Sequence, residues 1–248
     1  MSFNDRLIAH RGWRNRFPEN TLIAVDAAVQ AGAKHVEIDV QLTADHVPIL
    51  FHDQSLLRMC GTDQGIDTLS LQQLAQFSAY EPGRFNDRYK GTPLTSLQQC
   101  AELIAAHPDV TLYVEIKSES LHRFGGDVVL YAVLPLLTAI RNHCYLISFD
   151  VPVLAAARQA GWQQIAPVLT ELAQLDGEEL RQLAPEMVFC DYKLLLNRDP
   201  AKPLPFPVAV YEVAQYDAAR RWLDSGVTLV ETFCIGELMA SHQESHHE

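Results

Sequence analysis

The chain has 248 residues, 48% of them hydrophobic, and 19 Lys and Arg against 31 Asp and Glu give a formal net charge of −12. A chain of this length can bury a large core and suits either one α/β barrel or two smaller domains, of which a single barrel over residues 1–248 is the expectation. The acidic balance opposes non-specific attraction to nucleic acid or to an anionic membrane, so any phosphate ligand has to be held by a local site.

The apolar stretches are strand-length or broken by charge, and the opening Met1-Ser2-Phe3-Asn4-Asp5-Arg6 lacks the basic region and apolar run of a signal peptide. The expectation is a cytoplasmic protein with no stable membrane anchor. Cys60, Cys100, Cys144, Cys190 and Cys234 lie far apart with no Cys-x-x-Cys pairing, and they are expected to be reduced and mostly buried.

Short β-like runs alternate with helical patterns. Strand one is Leu7-Ile8-Ala9-His10, broken by Arg11-Gly12. Asn20 then opens a helix with Leu22, Ile23, Val25, Ala28 and Val29 at helical spacing, closed by Gly32. Strand two, Val36-Glu37-Ile38-Asp39-Val40, is followed too closely by Pro48-Ile49-Leu50-Phe51-His52-Asp53 for a helical crossover, so the two runs should pair as a hairpin. A two-residue loop would set His52 opposite Glu37 or Asp39. Residues 54–92 are irregular, with one helical piece at 70–77, and read as a small insertion that caps the site.

Helix 96–106 leads to strand three at 111–117, helix 128–142 to strand four at 145–149, and helix 153–159 to strand five at 165–169. Helix 177–183 precedes strand six at 187–190. The alternation fails over 197–205, where prolines forbid a regular helix. Strand seven at 208–213, helix 216–224 and strand eight at 228–233 complete the pattern, and the His-rich end 241–248 reads as a frayed tail. Eight strands with helices between them predict a TIM-type (β/α)8 barrel with a β-hairpin excursion and an insertion after strand two. No Gly-x-Gly-x-x-Gly opens the first helix, so a dinucleotide fold has no support.

Residues two apart on a strand share a face, so Glu37 and Asp39 project together. At the C-terminal rim of a barrel, His10, Arg11, Glu37, Asp39, His52, Glu115 and Lys117 would converge. Three carboxylates in one place need a cation, and all-oxygen ligation suits Mg²⁺ or Ca²⁺ better than zinc. Two histidines beside it can serve as general acid and base, and Arg11 and Lys117 offer fixed positive charge to an anion. This combination describes phosphoryl-group chemistry.

His10-Arg11-Gly12, Pro18-Glu19-Asn20-Thr21, Glu37-x-Asp39, His52-Asp53, Glu115-x-Lys117 and Ser148-Phe149 together resemble the glycerophosphodiester phosphodiesterase family, over roughly the first 150 residues. The resemblance implies a TIM barrel in which His10 and His52 are the acid–base pair, Glu37, Asp39 and Glu115 hold the metal, and Arg11 and Lys117 contact phosphate. It implies hydrolysis of a small-molecule glycerophosphodiester to glycerol 3-phosphate and an alcohol, through a cyclic phosphate or by direct attack of water. A related phospholipase acting on lysolipids and a non-catalytic barrel that binds glycerol phosphates are the alternatives.

The C-terminal part departs from that family. Tyr211-Glu212-Val213-Ala214 stands where members typically carry Trp-Thr-Val-Asn, and Glu231-Thr232 where they carry Thr-Asp. Tyr211 keeps an aromatic wall. Glu212 and Glu231 are expected to face outward or to pair with a surface base; facing inward, they would need an arginine or a substrate with a cationic alcohol group, and would form a substrate rim with Tyr211. Glu19 and Asn20 are candidates for capping the first helix or for touching ligand, and Trp13, Phe85 and Tyr89 for packing the insertion or covering the glycerol side.

Overall fold

The computed structural model describes residues 2–196, 198–199 and 202–244. Its strands are β1 (Leu7–His10), β2 (His35–Leu42), β3 (Pro48–Leu50), β4 (Thr111–Ile116), β5 (Cys144–Ser148), β6 (Ile165–Leu169), β7 (Val188–Asp191), β8 (Val208–Tyr211) and β9 (Leu229–Thr232). All but β3 are parallel to their neighbours, and pairing of β1 with both β2 and β9 closes them into an eight-stranded barrel. β3 is the antiparallel arm on β2. The expected TIM-type barrel with a hairpin excursion is the fold observed.

Side-chain parity sorts the two layers of core. Ile8, Tyr113, Ile147, Val168, Phe189, Ala209 and Leu229 fill the barrel, while Leu7, Val36, Ile38, Val114, Leu146, Val188, Val210 and Val230 face the surrounding helices. In β2 the outward set Val36, Ile38 and Val40 therefore leaves Glu37 and Asp39 pointing inward.

The helices begin where polar side chains replace missing backbone partners. Thr21 caps α1 (Leu22–Gln30), accepting from Ala24 N at 3.3 Å, so the cap lies one residue beyond the expected Asn20. Insertion 54–92 holds three short helices, α2 (Leu57–Cys60), α3 (Leu71–Leu74) and α4 (Pro82–Phe85), rather than the single piece expected. It has an apolar cluster of its own, Leu56, Met59, Ile66, Leu74 and Ala79, on which Ile49 and Phe51 of the hairpin also pack. Further along come α5 (Leu97–Ala105), opened by a Ser96–Gln99 capping box, α6 (Ser118–Phe124), α7 (Gly126–Leu137), α8 (Val151–Gln159), α9 (Glu178–Leu183), α10 (Tyr192–Leu195), α11 (Tyr216–Asp224) and α12 (Ile235–Glu244). Among the described residues no helix is long and apolar enough to cross a membrane. Cys60, Cys100, Cys144 and Cys190 are buried and Cys234 half-buried, all as free thiols.

Two of these expectations are corrected. The hairpin loop has five residues, 43–47, not two, because Thr43 closes it: Val47 N donates to Thr43 Oγ1 at 2.8 Å and Thr43 N to Val47 O at 3.1 Å. Phe51, whose N donates to Asp39 O at 3.0 Å, then lies opposite Asp39, and His52 follows it out of the ladder. Secondly, the chain continues past β9 as α12, so 241–244 are helical rather than frayed, and His242 stacks on Phe3 at 4.8 Å between ring centroids; residues 245–248 lie outside the described residues. The break expected over 197–205 follows the short α10, and its described residues 198–199 and 202–205 hold no helix; Asn197, Pro200 and Ala201 lie outside the described residues.

α12 is seated by a close approach. A Cβ at Gly236 would lie 2.1 Å from Trp13 Cζ2, and the Trp13 indole donates to Glu237 Oε2 at 2.8 Å. Gly236→Ala is therefore expected to destabilise the protein by about 1–3 kcal/mol through overpacking, read as a lowered urea midpoint at constant slope. An unchanged midpoint would contradict this seating of the helix.

Candidate active site

The C-terminal ends of the strands surround a cavity of about 310 Å³ lined by His10, Arg11, Glu37, His52, Glu115, Lys117, Tyr211, Glu212 and Glu231, with Ile147, Phe149, Val168, Phe189, Asp191, Tyr192 and Lys193 completing the wall. A larger groove of about 580 Å³ lies beside it between α10 and α11 and shares Tyr192 and Glu212, but holds none of the histidines. The smaller cavity carries the chemistry.

Each side chain arrives by parity or by a loop. Glu37 and Glu115 come from the inner faces of β2 and β4, His10 ends β1, and Lys117 follows β4. Asp39, 1% exposed, pairs in register with Glu115, and one ligand atom from each of Glu37, Asp39 and Glu115 falls within 4.8 Å of the others. Asp39 Oδ2 receives Arg11 Nε at 2.9 Å and Asn20 Nδ2 at 2.8 Å, while Lys117 Nζ sits 2.8 Å from Glu115 Oε1 and 3.4 Å from Asp39 Oδ1. Arg11 and Lys117 thus border the cavity while paired to its carboxylates. Glu19 and Asn20 cap nothing: Glu19 receives Arg11, Arg14 and Arg58 at 2.9, 2.7 and 2.6 Å, and Asn20 clamps Asp39 at both its side chain and its N–H.

These contacts divide the carboxylates. Burial works against ionisation of Asp39, yet Arg11 and Lys117 hold its pKa well below the carboxylate range. Glu37 is driven well above that range by burial and then by Asp39, Glu231 and Glu115; Glu115 is raised by burial and Asp39, with Lys117 opposing. Glu37 Oε1 and Asp39 Oδ1 are buried with no hydrogen bond. Buried oxygens without donors, on carboxylates that repel one another, fit a hard divalent cation, which would replace mutual repulsion with attraction.

The histidines stand in different surroundings. Burial lowers the pKa of His10 even though Glu212 pulls the other way, with Nδ1 3.1 Å from Glu212 Oε1 and Nε2 3.8 Å from Glu37 Oε2. His52 is one-third exposed, its Nδ1 2.8 Å from Asp53 Oδ1. A carboxylate only accepts, so Nδ1 donates and Nε2 is left for a ligand. Asp53 is fixed in turn by Arg58 of the insertion, through Nε at 2.7 Å and Nη2 at 2.9 Å.

Two further expectations are corrected. Glu212 and Glu231 do not face outward. Glu231 shares the inner parity of Leu229 and is 3% exposed deep in the cavity, and burial, then Glu115, raise its pKa well above the usual range. Glu212, at the rim, is held at about 2 by the hydrogen bond from His10 and by Arg14, 3.2 Å away. The insertion contributes no lining residue to the cavity among those described. It acts through Arg58 instead, while Phe85 and Tyr89 pack on each other and Tyr89 on Phe17. Trp13 packs at α12 and lines no part of the cavity.

Arg14, Arg58 and Asp191 were not singled out from sequence. Asp191, at the end of β7, is legible by the strand-end rule used for Glu115. Arg58 comes from an irregular loop with no periodicity to place it.

A model of the glycerophosphoryl diester phosphodiesterase family matches residues 10–160, more than half of the chain and every metal-holding, histidine and cationic candidate named above from β1 to β4. The chain belongs to the glycerophosphoryl diester phosphodiesterase family. Among curated relatives, a glycerophosphodiester phosphodiesterase of Caldanaerobacter subterraneus is 32% identical over 139 residues, covering 55% of this chain and 53% of that one. The bovine (Bos taurus) glycerophosphodiester phosphodiesterase 1 is 27% identical over 152 residues, covering 61% and 45%. The chain spans about half the length of the curated relatives it matches. Among solved structures, an Oleispira antarctica phosphodiesterase in complex with the product sn-glycerol-3-phosphate superposes with a TM-score of 0.83 at 24% identity, covering 96% of each chain, and has the same fold. The family match ends before β6, so Tyr211, Glu212 and Glu231 lie outside it.

Proposed function

We propose that this protein is a divalent-metal-dependent glycerophosphodiester phosphodiesterase of the cytoplasm, with residues 1–248 acting as one catalytic unit and 54–92 as an insertion in it. The observation that carries this reading is one cavity lined by two histidines beside three converging carboxylates. Free, mostly buried cysteines fit a reducing compartment.

Glu37, Asp39 and Glu115 would hold Mg²⁺ or Ca²⁺, both of which take oxygen ligands. When bound, the cation supplies positive charge to phosphate oxygens and to the oxygen that attacks phosphorus. Arg11 and Lys117 add fixed charge at the same wall and orient the phosphate. His10, neutral because it is buried, and His52, presenting Nε2 from its Asp53 anchor, divide two proton transfers: one imidazole takes the proton of the attacking hydroxyl, the other gives a proton to the departing alcohol. Release of glycerol 3-phosphate from glycerophosphocholine or glycerophosphoethanolamine with Mg²⁺ or Ca²⁺ tests the reading. No turnover of either diester with either metal would refute it.

The wall at β8 and β9 takes the alcohol in this reading, because the metal-holding residues occupy β2 and β4. Tyr211 and Glu212 border the opening, with Glu231 beneath them. Glu212→Gln is expected to lower kcat/KM for choline and ethanolamine diesters by about tenfold (~1.4 kcal/mol) relative to glycerophosphoglycerol, in a salt-sensitive manner. Equal losses on all three substrates would assign Glu212 to His10 alone.

A further inference from the structure

Among the described residues Glu231, like Glu37, has no Lys or Arg ion pair, whereas Glu115, Asp191 and Glu212 in the same cavity each have one. The Oε1 of Glu231 is buried without a hydrogen bond. The positive side chains nearby are engaged elsewhere, Arg11 with Asp39 and Glu19, Lys117 with Glu115 and Asp39, Arg14 with Glu19 and Glu212. Glu37, on the strand at the other side of β1, also has a buried oxygen with no donor. One ligand atom from each of His10, Glu37 and Glu231 lies within 4.8 Å of the others, and all three residues are buried. That spacing does not exceed about twice a metal–oxygen distance of ~2.0–2.4 Å, so one ion can reach all three groups.

We propose that His10, Glu37 and Glu231 form a second cation site, sharing Glu37 with the Glu37–Asp39–Glu115 site and taking a divalent transition metal such as Mn²⁺. Imidazole with two carboxylates suits a divalent transition ion better than Ca²⁺ or Mg²⁺, which favour oxygen alone, and Mn²⁺, which takes carboxylates readily, is the member of that class used as the spectroscopic probe. A carboxylate common to both sites places the two ions as neighbours, about 3.5–4 Å apart as in other two-metal sites. Occupation has a functional cost: the nitrogen lone pair of His10 that binds the metal cannot accept a proton. The first equivalent of Mn²⁺ therefore supports the reaction and the second opposes it, so activity should rise and then fall with metal concentration.

The test uses the full chain without substrate, titrated with Mn²⁺ and followed by equilibrium dialysis and electron paramagnetic resonance. The wild type is expected to bind two tight equivalents, the second converting the hyperfine spectrum of an isolated ion into that of an exchange-coupled pair. Ions bound by surface histidines would be too distant to couple. Glu231→Gln is expected to weaken the second equivalent by at least about tenfold and to abolish coupling, since even residues behind a ligand cost 10–100-fold in affinity. Glu231→Leu, which fills the space without charge, guards against misfolding of the first variant. A coupled pair in either folded variant, or one tight equivalent with no coupling in the wild type, overturns the second site while leaving the first intact. Absence of any tight equivalent refutes both sites.

Discussion

His10→Ala and His52→Ala are each expected to lower kcat by about 10²-fold or more while leaving the fold intact, the size typical of a lost general acid or base. The two imidazoles are prepared differently for that work. His10 is kept neutral by burial at the end of β1, close to both Glu37 and Glu212. His52 is aimed by Asp53, which Arg58 grips with two nitrogens, so its ring orientation is set from the insertion. Neither ring is part of an apolar cluster, and circular dichroism of the variants should overlay on the wild type. Near-normal kcat in one variant would remove that histidine from proton transfer.

Glu115→Gln is expected to weaken divalent-metal binding by at least about tenfold, measured by calorimetry. It removes one of three charged donors and also frees Lys117, now 2.8 Å from Glu115, to pair fully with Asp39. Both changes act against the metal. An unchanged dissociation constant would place the ion away from Glu115.

The barrel was legible because its strands carry strict parity: the outward Val36, Ile38 and Val40 leave Glu37 and Asp39 inside, and the same rule delivers Glu115. It also delivers Glu231, two residues after the inward Leu229, although an outward orientation was expected there. Glu212 lies one residue past the end of β8, where parity no longer applies, and its position follows from His10 and Arg14. The hairpin loop was misjudged because Thr43 bonds across it through side chain and backbone, a contact that alternation of apolar residues does not encode. Arg58 was invisible for a similar reason. Its partners Glu19, Asp53 and Glu81 are scattered along the chain and meet only when the insertion folds against the barrel.

In the proposed function this cavity hydrolyses glycerophosphodiesters with a metal held by Glu37, Asp39 and Glu115. Phosphorus NMR of glycerophosphocholine incubated with the protein tests it most directly, with Mg²⁺ or Ca²⁺ and again with excess chelator. The predicted result is conversion of the diester resonance to that of glycerol 3-phosphate with metal and no conversion with chelator. Undiminished conversion in excess chelator, or a diester resonance that persists with both metals, would contradict it.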